Sequence, residues 1–354
     1  MEPLMNAATP LAQARATLAS HYDLRFTPAV ERETADVFAR VKDRIPAVEW
    51  PFFAPLIVHI NREKHERDAV ILAHRYTSPQ IFHGVADIAG DTVQLALAAN
   101  NAPQSVIVQA GAFFMAETSK LLAPTKTVLM PDSRAGCSLA ASITADDVRA
   151  MRAQYRGAAV VAHINTSAAV KAVSDACCTV ANARAVVEAM PGETVILVPD
   201  QFLARNVARE TSKKIITWAG SCEVHAPFTA EDIGELRAAY PGAAILVHPA
   251  CRPEVLAAAD FSGATSAMID YLGSARPRRV VMVTECAVSD NVAAEFPQIE
   301  FLRGCNLCPH IKRITLENIL WSLHTMSEEV SVPPEIAGPA ARALGRMPEL
   351  SGIG

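Results

Sequence analysis

AVILAHRY, residues 69–76, is the first of three related runs in this chain. It returns as AAVVAHINT, whose apolar part ends on His163, and as AAILVHPA, which reaches His248; the histidines His74, His163 and His248 are spaced 89 and 85 residues apart. A second set of runs follows at the same two intervals: SVIVQAG from Ser105, TVILVPD from Thr194 and RVVMVTE from Arg279. A third set, KTVLMPDS from Lys126, KIITWAGS from Lys214 and IEFLRG from Ile299, leads into Cys137, Cys222 and Cys308, spaced 85 and 86 apart. The runs are continuous and rich in Val and Ile, which marks strands buried on both faces of parallel sheets. A repeat of this length is one supersecondary unit copied along the chain.

The segments between the runs repeat as well. VADIAGDTVQ, VSDACCTVANA and AADFSGATSAM share Asp87, Asp175 and Asp260. Thr144, Thr229 and Thr315 each read as a helix N-cap, the first two followed by Asp147 and Asp232 in the first turn. Strands alternating with helices predict an α/β protein. Its architecture is three pseudo-threefold-related three-layer αβα units, with parallel sheets around a central cavity. The expected units are residues 51–140, 141–225 and 226–312, with 313–326 packing back on the first. Residues 1–50 form an N-terminal helical extension, with a helix starting at Thr27-Pro28. Residues 327–354 are expected to be a loosely attached tail.

The 354 residues are 51% apolar and 19% charged, the balance of a globular chain with a sizeable core. A net charge of -5 argues against a nucleic-acid partner. No apolar run approaches the ~18 residues of a membrane span, and MEPLMNAATP lacks the basic start and apolar core of a secretory leader. The expected location is the cytoplasm, where eight cysteines are not four disulfides. Cys177, Cys178 and Cys286 lie among small apolar residues and read as buried filler.

Ligands of parallel sheets sit beyond the carboxyl ends of the strands, where His74, His163, His248 and the three spaced cysteines fall. Three thiolates from three units suit iron–sulfur or zinc. Cys305 and Cys308 form a close pair that alternatively reads as an oxidisable dithiol; register with the other units selects Cys308. Thr77-Ser78-Pro79 and Asn165-Thr166-Ser167 read as helix starts suited to anions. Lys120 and Lys171 add positive charge, or are surface residues.

The stretches ILAHRYTSPQIFHGVADIAGDT, AGCSLA, INTSAAVKAVSDACCT, GSCEVH, ILVHPACRPEVLAAADFSGATS and CPHIKRITLENILWSL, within residues 55–325, resemble the quinolinate synthase family. The resemblance implies a 4Fe–4S cluster on Cys137, Cys222 and Cys308 with one iron open as a Lewis acid. It implies condensation of iminoaspartate with dihydroxyacetone phosphate to quinolinate, in NAD biosynthesis. An aspartate-oxidising enzyme would supply the iminoaspartate. Carried over residue by residue, the matching site positions are His74, Tyr76, Asn165, His225, His248 and Thr265. Tyr76, His163 and His225 are the catalytic candidates. His74, Arg75, Thr92, Asn165, His248 and Thr265 are the candidate substrate ligands.

The chain also departs from that pattern. Arg75 stands where the family has asparagine, His163 where it has tyrosine, Val180 and Ala264 where it has serines, and Ala250 where it has the glutamate of HPE. General base catalysis contributes roughly 10² to 10⁴ in rate, so Glu117 and Glu223 are noted as replacements and His163 as a possible base. The alternatives are a paralogue using the same cluster on another small carboxylic acid, and a non-catalytic iron–sulfur sensor.

Overall fold

The computed structural model describes residues 11–351. Residues 1–10 of the expected N-terminal extension and 352–354 of the expected tail lie outside the described residues. Among the described residues there are twelve strands: β1 Ala69–His74, β2 Ile88–Gly90, β3 Val106–Ala110, β4 Thr127–Leu129, β5 Ala159–His163, β6 Ala176–Cys178, β7 Thr194–Val198, β8 Lys214–Thr217, β9 Ala244–Val247, β10 Phe261–Ser262, β11 Arg279–Val283 and β12 Glu300–Leu302. They make three four-stranded sheets in the orders β2-β1-β3-β4, β6-β5-β7-β8 and β10-β9-β11-β12, with every pairing parallel. The 89- and 85-residue repeat is therefore a repeat of topology. The central strands β1, β3 and β5 are buried along their whole length, as their continuous apolar sequence requires. The chain divides into two compact units. One comprises residues up to Gly136 with Pro309–Ser331 and holds the first sheet; the other comprises Cys137–Cys308 and the chain from Val332, and holds the second and third.

The repeated aspartates have one structural job. A carboxylate oxygen of Asp87, Asp175 and Asp260 accepts the amide of Ile71, Val160 and Ile245 at 2.8, 2.7 and 2.8 Å. Each aspartate also pairs with a cation from the preceding helix: Lys64, Arg152 or Arg237. The acid thus satisfies the strand amide that lies just before its neighbour begins. Asp68, Gly157 and Gly242, at one repeat position before β1, β5 and β9, all have positive φ. Glycine suits that turn; Asp68 manages it while its side chain accepts the Ser105 amide at 2.9 Å. Thr144, Thr229 and Thr315 each close a capping box, with Asp147, Asp232 and Asn318 respectively.

The helix Leu316–Thr325 buries Ile319, Leu320, Trp321 and Leu323 in the same core as Trp50, Leu56, Ile57 and Ile60. The helix expected from Thr27 is broken into Pro28–Glu33 and Ala35–Val41. The break falls at Thr34, whose φ of -106° and ψ of 5° leave the helical range; its hydroxyl donates to the Val30 carbonyl and accepts Trp50 Nε1. The tail is a helix, Pro334–Ser351, and not a loose end. Ala340, Ala343, Leu344 and Met347 form a buried stripe at helical spacing. They pack on the helices Ala168–Ala172 and Ala183–Ala189 and on β6, and Arg346 donates to the Asp175 carbonyl at 2.8 Å. Pro334 is tolerated because it occupies the first turn.

Candidate active site

A recurring backbone clip precedes each spaced cysteine. The amides of Phe113, Gln201 and Cys286 open the helices after β3, β7 and β11. They donate to the carbonyls of Ala135, Gly220 and Asn306 at 2.7, 2.9 and 3.1 Å. Each of those carbonyls lies two residues before Cys137, Cys222 or Cys308. The chain is thereby turned over the end of the sheet at the same point in each repeat. Two of the turns leave no room for a side chain. A Cβ at Gly220 would lie 2.6 Å from the Pro199 carbonyl oxygen, and one at Gly304 would collide with Val281.

Cys137, Cys222 and Cys308 are not disulfide-bonded; the first two are half-buried and the third buried. The amides of Leu139 and Ala140 hydrogen-bond Cys137, and those of Val224 and His225 hydrogen-bond Cys222. Burial pushes the Cys137 thiol up to about 11 and raises Cys222 further, and charge on the other two cysteines raises Cys222 too. Three sulfurs that feel one another, with main-chain donors aimed at two of them, make a soft donor set whose thiols are neutral until a metal takes them as thiolates. Among the described residues no three His, Cys, Asp or Glu side chains are placed to grip a single metal ion. One thiolate from each repeat is the donor set that a polynuclear cluster, with one thiolate per iron, takes.

Cys305 is not a partner of Cys308. It forms a disulfide with Cys286, the residue read from sequence as filler. The clip from the Cys286 amide to the Asn306 carbonyl sets the two side by side. Glu285, fully buried, spans this region: one oxygen accepts the Cys308 amide at 3.2 Å and the other accepts the Ala287 amide at 2.7 Å.

His74, His163 and His248 share one geometry. In each, the amide two residues on (Tyr76, Asn165, Ala250) donates to Nδ1 at 3.2 Å. A neutral ring held this way carries its proton on Nε2 and presents a donor. Burial pushes His163 down to about 3, with help from His248 and Lys171, and His248 down to about 4. At neutral pH both are uncharged and weak as bases. His225 is buried and its pKa is also lowered by desolvation. It stacks on His248 with ring centroids 4.2 Å apart and 10° between planes. Its Nε2 faces Thr284 Oγ1 at 3.0 Å, and its buried Nδ1 has no hydrogen-bond partner among the described residues.

Tyr76 stands edge-on to His74, centroids 4.5 Å apart, and its carbonyl accepts Lys312 Nζ at 2.7 Å. Arg75 is half-buried and its amide donates to Gly90 at 3.1 Å. Thr92 and Thr265 are buried at the first positions of the helices Thr92–Asn101 and Thr265–Ala275. Val180 holds the matching sequence position in the second repeat, in the turn three residues before the helix Ala183–Ala189. Lys171 is the group whose sequence reading fell furthest short. It is 0% exposed and donates to the Thr166 carbonyl, steadying the Asn165–Ser167 turn. Lys120 donates to the Lys126 carbonyl at 2.7 Å and pairs with Glu329. Of the noted acids, Glu117 is half-buried and Glu223 exposed.

The family model described as NadA, quinolinate synthetase A protein, matches residues 58–349. The chain belongs to the quinolinate synthetase A family. It is 55% identical over 339 residues to a protein named quinolinate synthase from Sinorhizobium medicae, covering 96% of this chain and 94% of that one. It is 52% identical over 344 residues to one from Caulobacter vibrioides, covering 96% and 94%. It is 56% identical over 313 residues to one from Agrobacterium fabrum, covering 88% and 91%. Membership of the quinolinate synthetase A family thus extends across both compact units and includes most of the helix Pro334–Ser351.

Proposed function

We propose that this chain is a quinolinate synthase acting in NAD biosynthesis. It joins iminoaspartate to dihydroxyacetone phosphate and releases phosphate, two waters and quinolinate. The observation that carries the reading is the set of three cysteines outside any disulfide, each two residues past the same backbone clip, in a protein whose neighbouring repeats bury neutral histidines. Cys137, Cys222 and Cys308 hold a 4Fe–4S cluster. When bound, the cluster supplies one open iron as a Lewis acid for loss of water.

The chain's own residues bind and orient. Nε2–H of His163 and His248 donates to carboxylate or carbonyl oxygens of the substrate. Neutral donors suit this task, because they neither titrate near pH 7 nor add repelling charge. His163 therefore acts as a donor to oxygen, in place of the base suggested by its residue type. His225 presents a ring nitrogen to the same substrate. Asn165 contributes a side-chain amide from a turn fixed by Lys171, and Thr265 a hydroxyl at a helix start. His74, Arg75 and Thr92 bind substrate anions or oxygens, and the Tyr76 hydroxyl carries protons in the acid–base steps. The enzyme works in the cytoplasm, with iminoaspartate supplied by an aspartate-oxidising enzyme. No helix among the described residues is long and apolar enough to cross a membrane.

The test is direct. Protein purified without air and mixed with iminoaspartate and dihydroxyacetone phosphate should form quinolinate at turnover rates, with about four irons per chain. Absence of product from iron-loaded protein would refute the activity. Ala250 is 4% exposed and offers no carboxylate. Product appearing only in an Ala250→Glu, His163→Tyr variant would instead favour a paralogue acting on another small acid. Zinc in place of iron would refute the cluster.

A further inference from the structure

The repeat is broken at one pair of positions. Three residues past the spaced cysteines stand Ala140, His225 and Ile311, so only the second copy carries an imidazole. Directly after β3, β7 and β11 stand Gly111, Pro199 and Thr284, so only the third carries a hydroxyl. These two exceptions meet, His225 Nε2 lying 3.0 Å from Thr284 Oγ1. Thr284 is fully buried, and its neighbour Glu285 holds the Cys308 amide from the same strand end. The hydroxyl is thus on a rigid mount. Stacking on His248, whose own Nδ1 is occupied, fixes the plane of the His225 ring.

A neutral imidazole has one donor and one acceptor, and the group bonded to one nitrogen decides what the other presents. We propose that Thr284 is a positioning residue: its O–H donates to His225 Nε2, which puts the ring proton on Nδ1 and aims an N–H donor at a substrate oxygen. The unpartnered, buried Nδ1 is where that donor would be used. An N–H left buried without an acceptor is unfavourable in the free enzyme, and the substrate oxygen relieves it. This rests on the reading of His225 as a substrate ligand, but the proton position is measurable without turnover.

The full-length holoenzyme, labelled with ¹⁵N at histidine and kept from air, reports the protonated nitrogen of His225 through its two ring nitrogen shifts; His225→Gln assigns them. The expected result is Nδ1–H in the native protein, loss of that preference in Thr284→Val, and its return in Thr284→Ser. In steady-state turnover, Thr284→Val should lower kcat/KM about 10- to 100-fold, with Thr284→Ser recovering most of it. An Nε2–H ring in the native protein overturns the proposal, whatever the activity. So does a tautomer that Thr284→Val leaves unchanged, or an equal loss of kcat/KM in Ser and Val variants. Should the Val variant fail to fold, the native measurement alone decides. Absence of quinolinate formation with an Nδ1–H ring would instead count against the proposed substrates and leave the Thr284 assignment standing.

Discussion

Glu285 shows how much one side chain can fix. Its two carboxylate oxygens accept the amides of Cys308 and Ala287, so it ties Cys308 to the helix that opens after β11. Glutamine is isosteric but turns one acceptor into an N–H₂ facing a donor. A buried donor left without a partner costs about 1–3 kcal/mol. Glu285→Gln should lower unfolding stability by about that amount and loosen Cys308. Iron should then be lost to a chelator faster than from the native protein, which colour loss at fixed chelator concentration would follow. An unchanged release rate would show that the carboxylate does not hold the ligand loop. At this scale the sequence was legible where a residue type repeats in register, as with Cys137, Cys222 and Cys308. It was opaque where the partner is a backbone group or a distant loop. The disulfide partner of Cys305, the burial of Lys171 and the Thr284–His225 contact depend on clips and turns that no spacing announces.

Among elements, the strands were the most legible, because β1, β3, β5, β7, β9 and β11 are covered on both faces and so run mostly apolar. The aspartates and the capping threonines were readable for the same reason: each repeats a local hydrogen-bond need. The final helix was missed because Pro333-Pro334 and glycines look like a linker, whereas its buried stripe is made mostly of alanine. The helix from Thr27 is interrupted at Thr34, where the backbone leaves helical φ/ψ and the hydroxyl accepts Trp50 Nε1, a tertiary contact that spacing does not announce. The turn after β12 supplies a prediction at this scale. A methyl group at Gly304 collides with Val281 in the centre of the third sheet, where it cannot move aside. Overpacking of this kind costs about 1–3 kcal/mol. Gly304→Ala should therefore lower the midpoint of urea unfolding and reduce bound iron, while Gly234→Ala, at an open helical site, should change neither.

Across the whole molecule the buried titratable groups set a pH dependence with a defined sign. His163 and His248 have folded pKa values of about 3 and 4, below the unfolded value of about 6.5. Their contribution is complete above pH 6.5 and is lost as pH falls toward the folded values, because the unfolded chain takes up protons that the native one refuses. The loss is about 1.4 kcal/mol per pH unit for each. His225 acts in the same direction. Asp200, a helix cap raised to about 6 by burial, acts oppositely, since its native form holds a proton that the unfolded chain has released. Between about pH 4.5 and 6 these four groups together give a net slope of about two protons. Urea unfolding across that range should become flatter by about one proton in His163→Asn and steeper by about one in Asp200→Asn. Slopes indifferent to both changes would mean that these groups are hydrated in the native protein.

The main-chain amides that hold His74, His163 and His248 carry a consequence for inheritance. Because the donor belongs to the backbone, any residue except proline can stand two places after the histidine without disturbing the ring. The three copies hold Tyr76, Asn165 and Ala250 there, residues with nothing in common chemically, and the three imidazoles are held alike. Each slot is insulated from its own support. Mutation can exchange a phenol, an amide or a methyl group at that position while the histidine next to it stays in place. A lineage can thereby try new chemistries one side chain at a time on an unchanged frame.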